Sequence, residues 1–328
     1  MNNYLFFRTD RIGDFLISAI LIKSIKRNDL KSNIIVVSSK KNYAYIKSLD
    51  FIDEVFLYPD NFLKKIYLFK DLYKRKYALI AALDGKKRSI YFSIFFNSKI
   101  KVLMTTKSIF QTLFYFFFSK IYLFKKSKRK IDEFLDVLNL CKMTFRQEDL
   151  YFLNEQKITS KNINKINDYL LYHFDEKWIN NSYIDKYKSI EPSQNEFELF
   201  VNRLIEKTKK NIIITTGVSS NKILNQFIKS FNKINNHLYE KICVDRKIHL
   251  YLDIDFFDLK FLIKNCDYLI TCHGASTHVA SALNKRIYDI YDLTQEEFYS
   301  KWTSHMTNYS YFFRDDFKKL TDKILANI

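Results

Sequence analysis

With 328 residues the chain is long enough for two domains with ordinary cores, and 47% apolar residues exclude wholesale disorder. Its four glycines, at 13, 85, 217 and 274, exclude a Gly-x-Gly-x-x-Gly dinucleotide fingerprint and a Gly-x-x-x-x-Gly-Lys phosphate loop. The formal charge of +18 is local: between Gly85 and Ile131 stand twelve Lys or Arg residues and no acid.

The opening residues Tyr4 to Arg8 read as a short buried strand, and Phe15 to Ile25 as a helix. Between them lies RTDRIGD, where Gly13 is expected to permit a tight turn and Asp14 to stand in the first helical turn. Asp14 has two readings: a cap complementing the helix dipole, or a carboxylate held over a cleft. Asp10, Arg11 and Asp14 interrupt the apolar run that a signal peptide would need, so none is expected.

Strands then alternate with helices through Asn33–Ser38, Asn42–Leu49, Glu54–Tyr58, Leu63–Lys74, Ala78–Leu83, Lys86–Phe96 and Lys99–Leu103. This pattern predicts a parallel, doubly wound sheet, with ligands beyond the carboxyl edge of its strands. Asp84-Gly85 closes one strand and is either a line of that crevice or a plain turn. Residues 108–130, SIFQTLFYFFFSKIYLFKKSKRK, break the alternation. The uncharged run is shorter than the roughly 20 residues needed to cross a bilayer. Aromatics beside Lys125, Lys126, Lys128, Arg129 and Lys130 suit an anionic membrane surface; equally, the segment reads as a buried helix followed by a solvated basic loop. A nucleic-acid partner is not expected, since no helix-turn-helix, zinc-finger or RNP motif accompanies the charge.

An amphipathic helix, Ile131–Leu140, precedes a polar stretch, 154–167, that reads as a linker. The boundaries expected are 1–155 for the first domain, 156–312 for the second and 313–328 for a closing helix. The second series runs Tyr169–Phe174, Phe197–Lys207, Asn211–Thr216, Ile223–Ile234 and Ile248–Leu252. It ends in FDLKFLIKNCDYLITCHGASTHVASALNKRIYDIY, residues 257–291: helix, buried strand, a turn over His273, Gly274, Ala275, Ser276, Thr277 and His278, an Ala-rich helix and another strand. A turn of small residues opening a helix offers backbone N–H groups to a phosphate, though Ser276 or Thr277 as a simple cap explains it as well. Cys141, Cys243, Cys266 and Cys272 lack paired spacing and read as reduced cytoplasmic cysteines. No metal site is expected, because His273 and His278 are five apart across a turn. The fold class is therefore α/β, with two doubly wound Rossmann-like domains facing across a cleft.

Four of these stretches, FFRTDRIGDFLISAILIKSIK, KIDEFLDVLNLCK, HFDEKW and the segment from Asp258 to Tyr291, together resemble glycosyltransferase family 9, the lipopolysaccharide heptosyltransferases. The resemblance implies the GT-B fold and metal-independent, inverting transfer of a sugar, heptose or related, from a nucleotide-sugar donor. Its acceptor would be a lipid-linked glycan of the lipopolysaccharide type, met at the inner face of the cytoplasmic membrane. It implies no cofactor beyond the nucleotide sugar as co-substrate. It makes Asp14 the general base, Lys177 a contact to donor phosphates, Thr216-Gly217 a strand end near the nucleotide, and 274–278 the diphosphate turn. The match departs at the turn, where His273 stands in place of an acid and glycine is moved forward by one. A non-catalytic nucleotide-sugar or lipid-binding relative is the alternative.

Overall fold

The computed structural model describes residues 1–124, 128–160, 162–163, 166–179, 187–217, 222–243 and 245–328. The chain divides into two compact units, 1–156 with 300–305, and 157–299 with 306–328. The first unit runs β1 (Asn3–Arg8), α1 (Ile12–Asn28), β2 (Asn33–Ser38), α2 (Tyr43–Lys47), β3 (Glu54–Leu57) and α3 (Phe62–Tyr73). It continues through β4 (Tyr77–Ala82), α4 (Lys87–Phe95), β5 (Ser98–Thr105), α5 (Ser108–Phe114), β6 (Lys120–Leu123) and α6 (Lys130–Leu140).

These strands form one parallel sheet in the order β3-β2-β1-β4-β5-β6. The strands read as unbroken apolar runs because helices cover both faces of the sheet. Right-handed crossovers place α1 and α2 on one face and α3, α4 and α5 on the other. Strands β1 and β4 are neighbours, Phe7 opposite Ala82, yet their chains leave in opposite directions. That is the switch point at which doubly wound sheets open a crevice.

The described residues of 108–124 do not form the one buried helix expected as an alternative. Phe110 and Phe118 bury against Ala82, Ile90 and Leu103, which bends the chain into the short α5 and the edge strand β6. Lys130, expected at a membrane surface, is instead 2% exposed. Its ammonium meets Glu133 at 2.7 Å and lies over the rings of Phe124 and Trp302, at 4.2 and 5.4 Å. Burial lowers the Lys130 ammonium from the ordinary lysine range, and the Glu133 carboxylate one helical turn on opposes that fall. Lys128 and Arg129 are exposed, Arg129 pairing with Asp132 at 2.9 Å. Lys125 and Lys126 lie outside the described residues.

The second unit begins with β7 (Tyr169–Phe174), α7 (Gln194–Thr208), β8 (Asn211–Thr216), α8 (Lys222–Phe227), β9 (Asn232–Lys233), β10 (Leu238–Cys243) and β11 (Arg246–Tyr251). There follow α9 (Phe256–Asn265), β12 (Tyr268–Cys272), α10 (Ala275–Ala282), β13 (Arg286–Tyr291), α11 (Glu296–Thr303), β14 (Tyr309–Phe313) and α12 (Phe317–Asn327). The sheet order is β14-β13-β12-β7-β8-β11-β10-β9, parallel from β14 to β11 and antiparallel beyond. Here the switch point lies between β7 and β12. Trp178, wholly buried, packs among Tyr172, Phe174 and Phe317, so α12 belongs to this core. The helix expected over Ile223–Ile234 ends as α8 at Phe227, and the chain continues into the β9–β10 hairpin.

Candidate functional site

Both switch points carry polar clusters, built from different chemistry. In the first unit Asp14 is the third residue of α1, partly buried, and one carboxylate oxygen accepts a long bond from the Arg11 N–H at 3.4 Å. The capping role is therefore present but weak, and the carboxylate faces a cleft of about 540 Å³. Gly13 makes no special turn: it sits inside the first turn of α1, and the glycine with positive φ is Gly85, at 62°.

Across the switch point Asp84 accepts from the Thr9 N–H at 3.1 Å and from the hydroxyls of Thr9 and Ser89 at 2.5 and 2.7 Å. Arg88 donates to the Thr9 hydroxyl at 2.7 Å and stacks on Tyr58 at 4.6 Å. This stitching fixes the ends of β1 and β4 relative to each other. Asp10, the carboxylate nearest the strand, meets Arg8 at 2.9 Å with its other oxygen buried and unbonded. Burial pushes the Asp10 carboxyl up to about 7; Arg8 opposes the rise, and Asp14 and Asp84 add to it. Lys40, Lys41, Lys86 and Arg88 line the same cleft. Carboxylates and cations thus line the cleft together, a composition suited to a polar, charged ligand.

In the second unit Lys177 follows β7 and straps the switch point. Its ammonium lies 2.7 Å from Asp175 and donates to the Cys272 and His273 carbonyls, both at 3.2 Å. Burial alone would depress this ammonium, but Asp175 holds it well above the ordinary lysine range. It is no ordinary surface lysine. Asp175 also accepts the Lys177 N–H as the cap of a short 3₁₀ turn.

The turn from His273 to His278 is held from behind by Asp289 on β13. This carboxylate, wholly buried, meets His273 Nδ1 at 2.6 Å and accepts from the hydroxyls of Thr277 at 3.0 Å and Tyr309 at 2.8 Å. Because an ionised carboxylate only accepts, His273 Nδ1 carries the proton and Nε2 is left for a ligand or solvent. Tyr299 covers the ring at 4.0 Å. Thr277 in turn accepts from the Gly274 N–H at 3.2 Å, capping α10, and the hydroxyls of Ser276 and Thr271 bond at 2.9 Å. Ala275 opens the helix between them. Gly274 is needed for room: a Cβ there would stand 2.6 Å from the Lys177 ammonium.

Thr216 and Gly217 end β8 beside this cluster. The Thr216 hydroxyl accepts from the Asp253 N–H at 3.4 Å, and a Cβ on Gly217 would fall 2.0 Å from Glu176 and 2.9 Å from Asp175. Behind them His173, buried against Thr215 at 2.9 Å, is depressed to about 4, chiefly by burial.

Sequence reasoning singled out Asp14, Lys177 and residues 273–278, and noted Asp84. It missed Asp10, Arg88, Asp175 and Asp289. For Asp289 a signal existed: an acid between Tyr288 and Ile290 in a buried strand is costly unless donors converge on it.

No protein-family model matches the sequence, and no curated protein does. Solved structures do. A glycosyltransferase family 9 protein from Veillonella parvula DSM 2008 superposes with a TM-score of 0.66 at 12% identity, over 95% of this chain and 86% of that one. E. coli heptosyltransferase WaaC, bound to ADP-2-deoxy-2-fluoro heptose, gives 0.66 at 9% identity, over 99% and 96%. The UDP-GlcNAc 2-epimerase of Methanocaldococcus jannaschii gives 0.58 at 14% identity, over 100% and 92%. The chain has the fold these structures share, the GT-B architecture of two doubly wound α/β domains, here with the polar clusters of Asp14 and Lys177 at its two switch points.

Proposed function

We propose that this protein is a divergent, inverting glycosyltransferase of the family 9 type. Its donor is a nucleotide sugar, heptose or related, and its acceptor a lipid-linked glycan of the lipopolysaccharide kind at the cytoplasmic membrane face. The observation that carries the reading is the pairing of functions at the switch points: a weakly held carboxylate lining a cleft in one unit, an ammonium-strapped turn of backbone N–H groups in the other.

The second unit takes the donor. The N–H groups at the start of α10 receive the diphosphate, aided by the positive end of the helix dipole. Lys177 keeps the turn in shape and sets a positive charge beneath it, and His273 stands where family members carry an acid. The first unit takes the acceptor, whose hydroxyl attacks the anomeric carbon. Its proton passes to the Asp14 carboxylate as the new C–O bond forms. The bond from that carbon to the diphosphate oxygen breaks on the opposite side, and the electron pair leaves with the nucleoside diphosphate. The Lys177 charge and the turn amides offset the charge that develops there. Attack opposite the leaving group inverts the anomeric centre. Arg88, Lys86, Lys40 and Lys41 suit an acceptor bearing carboxylates or phosphates.

A second reading, a non-catalytic nucleotide-sugar or lipid-binding relative, is favoured by one observation: Asp14 also bonds its own helix cap. Transfer assays with ADP-, GDP-, UDP- and dTDP-sugars separate the two. Product formation with one donor supports the transferase; donor binding without turnover across lipid-linked acceptors supports the binder.

A further inference from the structure

We infer that the outer face of α3, α4 and α5, rather than the basic run 125–130, is the surface that meets an anionic lipid bilayer. Among the described residues, twelve of the 22 large apolar side chains left exposed fall between Phe62 and Phe117. The crossover rule places all three helices on one face of the first sheet, so these side chains share a side of that unit. On α3 the buried Leu68 and Leu72 face the sheet, while Phe62, Ile66 and Tyr67 face away. Phe95 on α4 is 63% exposed and Phe116, after α5, 80%.

Ring contacts join neighbouring helices on this side, partly through Phe69, Phe92 and Phe114, which also pack on the core. Phe69 of α3 meets Phe92 and Phe95 of α4 at 5.5 and 6.1 Å, Tyr91 of α4 meets Phe114 of α5 at 6.5 Å, and Phe114 meets Phe117 at 6.2 Å. A contiguous apolar face of this kind marks an interaction site rather than scattered surface residues.

Charge decides the occupant. From Asn61 to Lys120, leaving out the run 125–130, there are thirteen Lys or Arg residues and two acids, Asp71 and Asp84; Asp84 is turned inward onto Thr9 and Ser89, while Arg75 pairs with Glu54 and Lys86 and Arg88 line the cleft. Lys70 and Lys74 fall among the exposed apolar positions of α3 by helical spacing, and Lys107 and Lys120 flank α5. Aromatic rings among lysines suit the headgroup zone of an anionic bilayer, where rings enter the interface and ammonium groups meet lipid phosphates. Two copies of the chain packed through this face would set like charges together. The assignment deepens the membrane-associated reading above by naming the docking face and its lipid chemistry.

The test is co-sedimentation of the full chain with phosphatidylcholine vesicles, with and without phosphatidylglycerol. The expected result is binding only when phosphatidylglycerol is present. Replacing Leu113, Phe116 and Phe117 together with Ser should cut partitioning at least about tenfold, and Lys70→Gln with Lys74→Gln about fivefold per lysine. Lys128→Gln with Arg129→Gln should have the smaller effect. All these positions are exposed, so melting curves should stay unchanged and loss of fold is excluded. Equal vesicle binding by the Ser variant overturns the assignment. So does a lipid-independent dimer that the Ser variant dissolves, which would make the face a contact between copies. Nucleoside diphosphate binding, measured on the same samples, separates failure of this inference from failure of the transferase reading.

Discussion

Asp289→Asn tests how the donor turn is built. The carboxylate is wholly buried and takes three donors, His273 Nδ1 at 2.6 Å and the hydroxyls of Thr277 and Tyr309 at 3.0 and 2.8 Å. An asparagine keeps the shape, but one oxygen becomes an N–H donor, so at least one of the three partners faces another donor. Bonds to a charged acceptor contribute about 1.5–3 kcal/mol and neutral ones about 0.5–1.5, so three such exchanges cost about 3 kcal/mol. For a unit of this size that lowers the melting temperature by about 6–12 °C. Calorimetry should show the second unit melting early while the first is unchanged, and nucleoside diphosphates should bind more weakly. A double-mutant cycle with His273→Ala should give a coupling of about 1–2 kcal/mol. A shift below about 1 °C would mean that Asp289 does not organise the turn.

Gly217→Ala should destabilise the second unit by about 1–3 kcal/mol, because its Cβ would stand 2.9 Å from the Asp175 Cβ, which cannot swing away, besides displacing the Glu176 carboxylate at 2.0 Å; an unchanged urea midpoint would refute the packing argument. His173, depressed to about 4 in the folded chain, binds a proton more readily when unfolded. Its contribution is complete above the unfolded value of about 6.5 and is lost as pH falls towards 4, by up to about 3 kcal/mol. His173→Gln should flatten that acid limb in equilibrium unfolding. Asp10 runs the other way: with its folded value raised to about 7, stability is complete below the unfolded value and declines as pH rises through 7. Asp10→Asn should therefore lessen the decline of the first unit between about pH 4 and pH 7, and an unaltered decline there would assign it elsewhere.

The α/β alternation was legible because both sheets are covered on two faces, so their strands are unbroken apolar runs with β-branched residues, as in Ile34–Val37 and Ile212–Ile214. Edge strands were not. Lys120–Leu123 and Tyr309–Phe313 are partly exposed, mix polar with aromatic residues, and take their structure from one neighbouring strand. Lys130 was misread because a run of basic residues looks solvated; its partner Glu133 was three residues away, but Trp302 comes from far along the chain. Within the site, small residues at strand ends announced the turns. The groups that hold them did not announce themselves, since Asp289 and Asp175 act through tertiary contacts to the turn and to Lys177. Gly217 and Gly274 are required by neighbouring side chains rather than by their own dihedral angles, a reason visible only in three dimensions.

The most direct measurement of the central claim is transfer from a nucleotide sugar to a lipid-linked acceptor by the parent chain and by Asp14→Asn, with the anomeric configuration of the product determined by NMR. The account predicts an inverted product, a rate for Asp14→Asn lower by about 10²–10⁴-fold, and unchanged donor affinity. Full activity in Asp14→Asn, or a product of retained configuration, would contradict it.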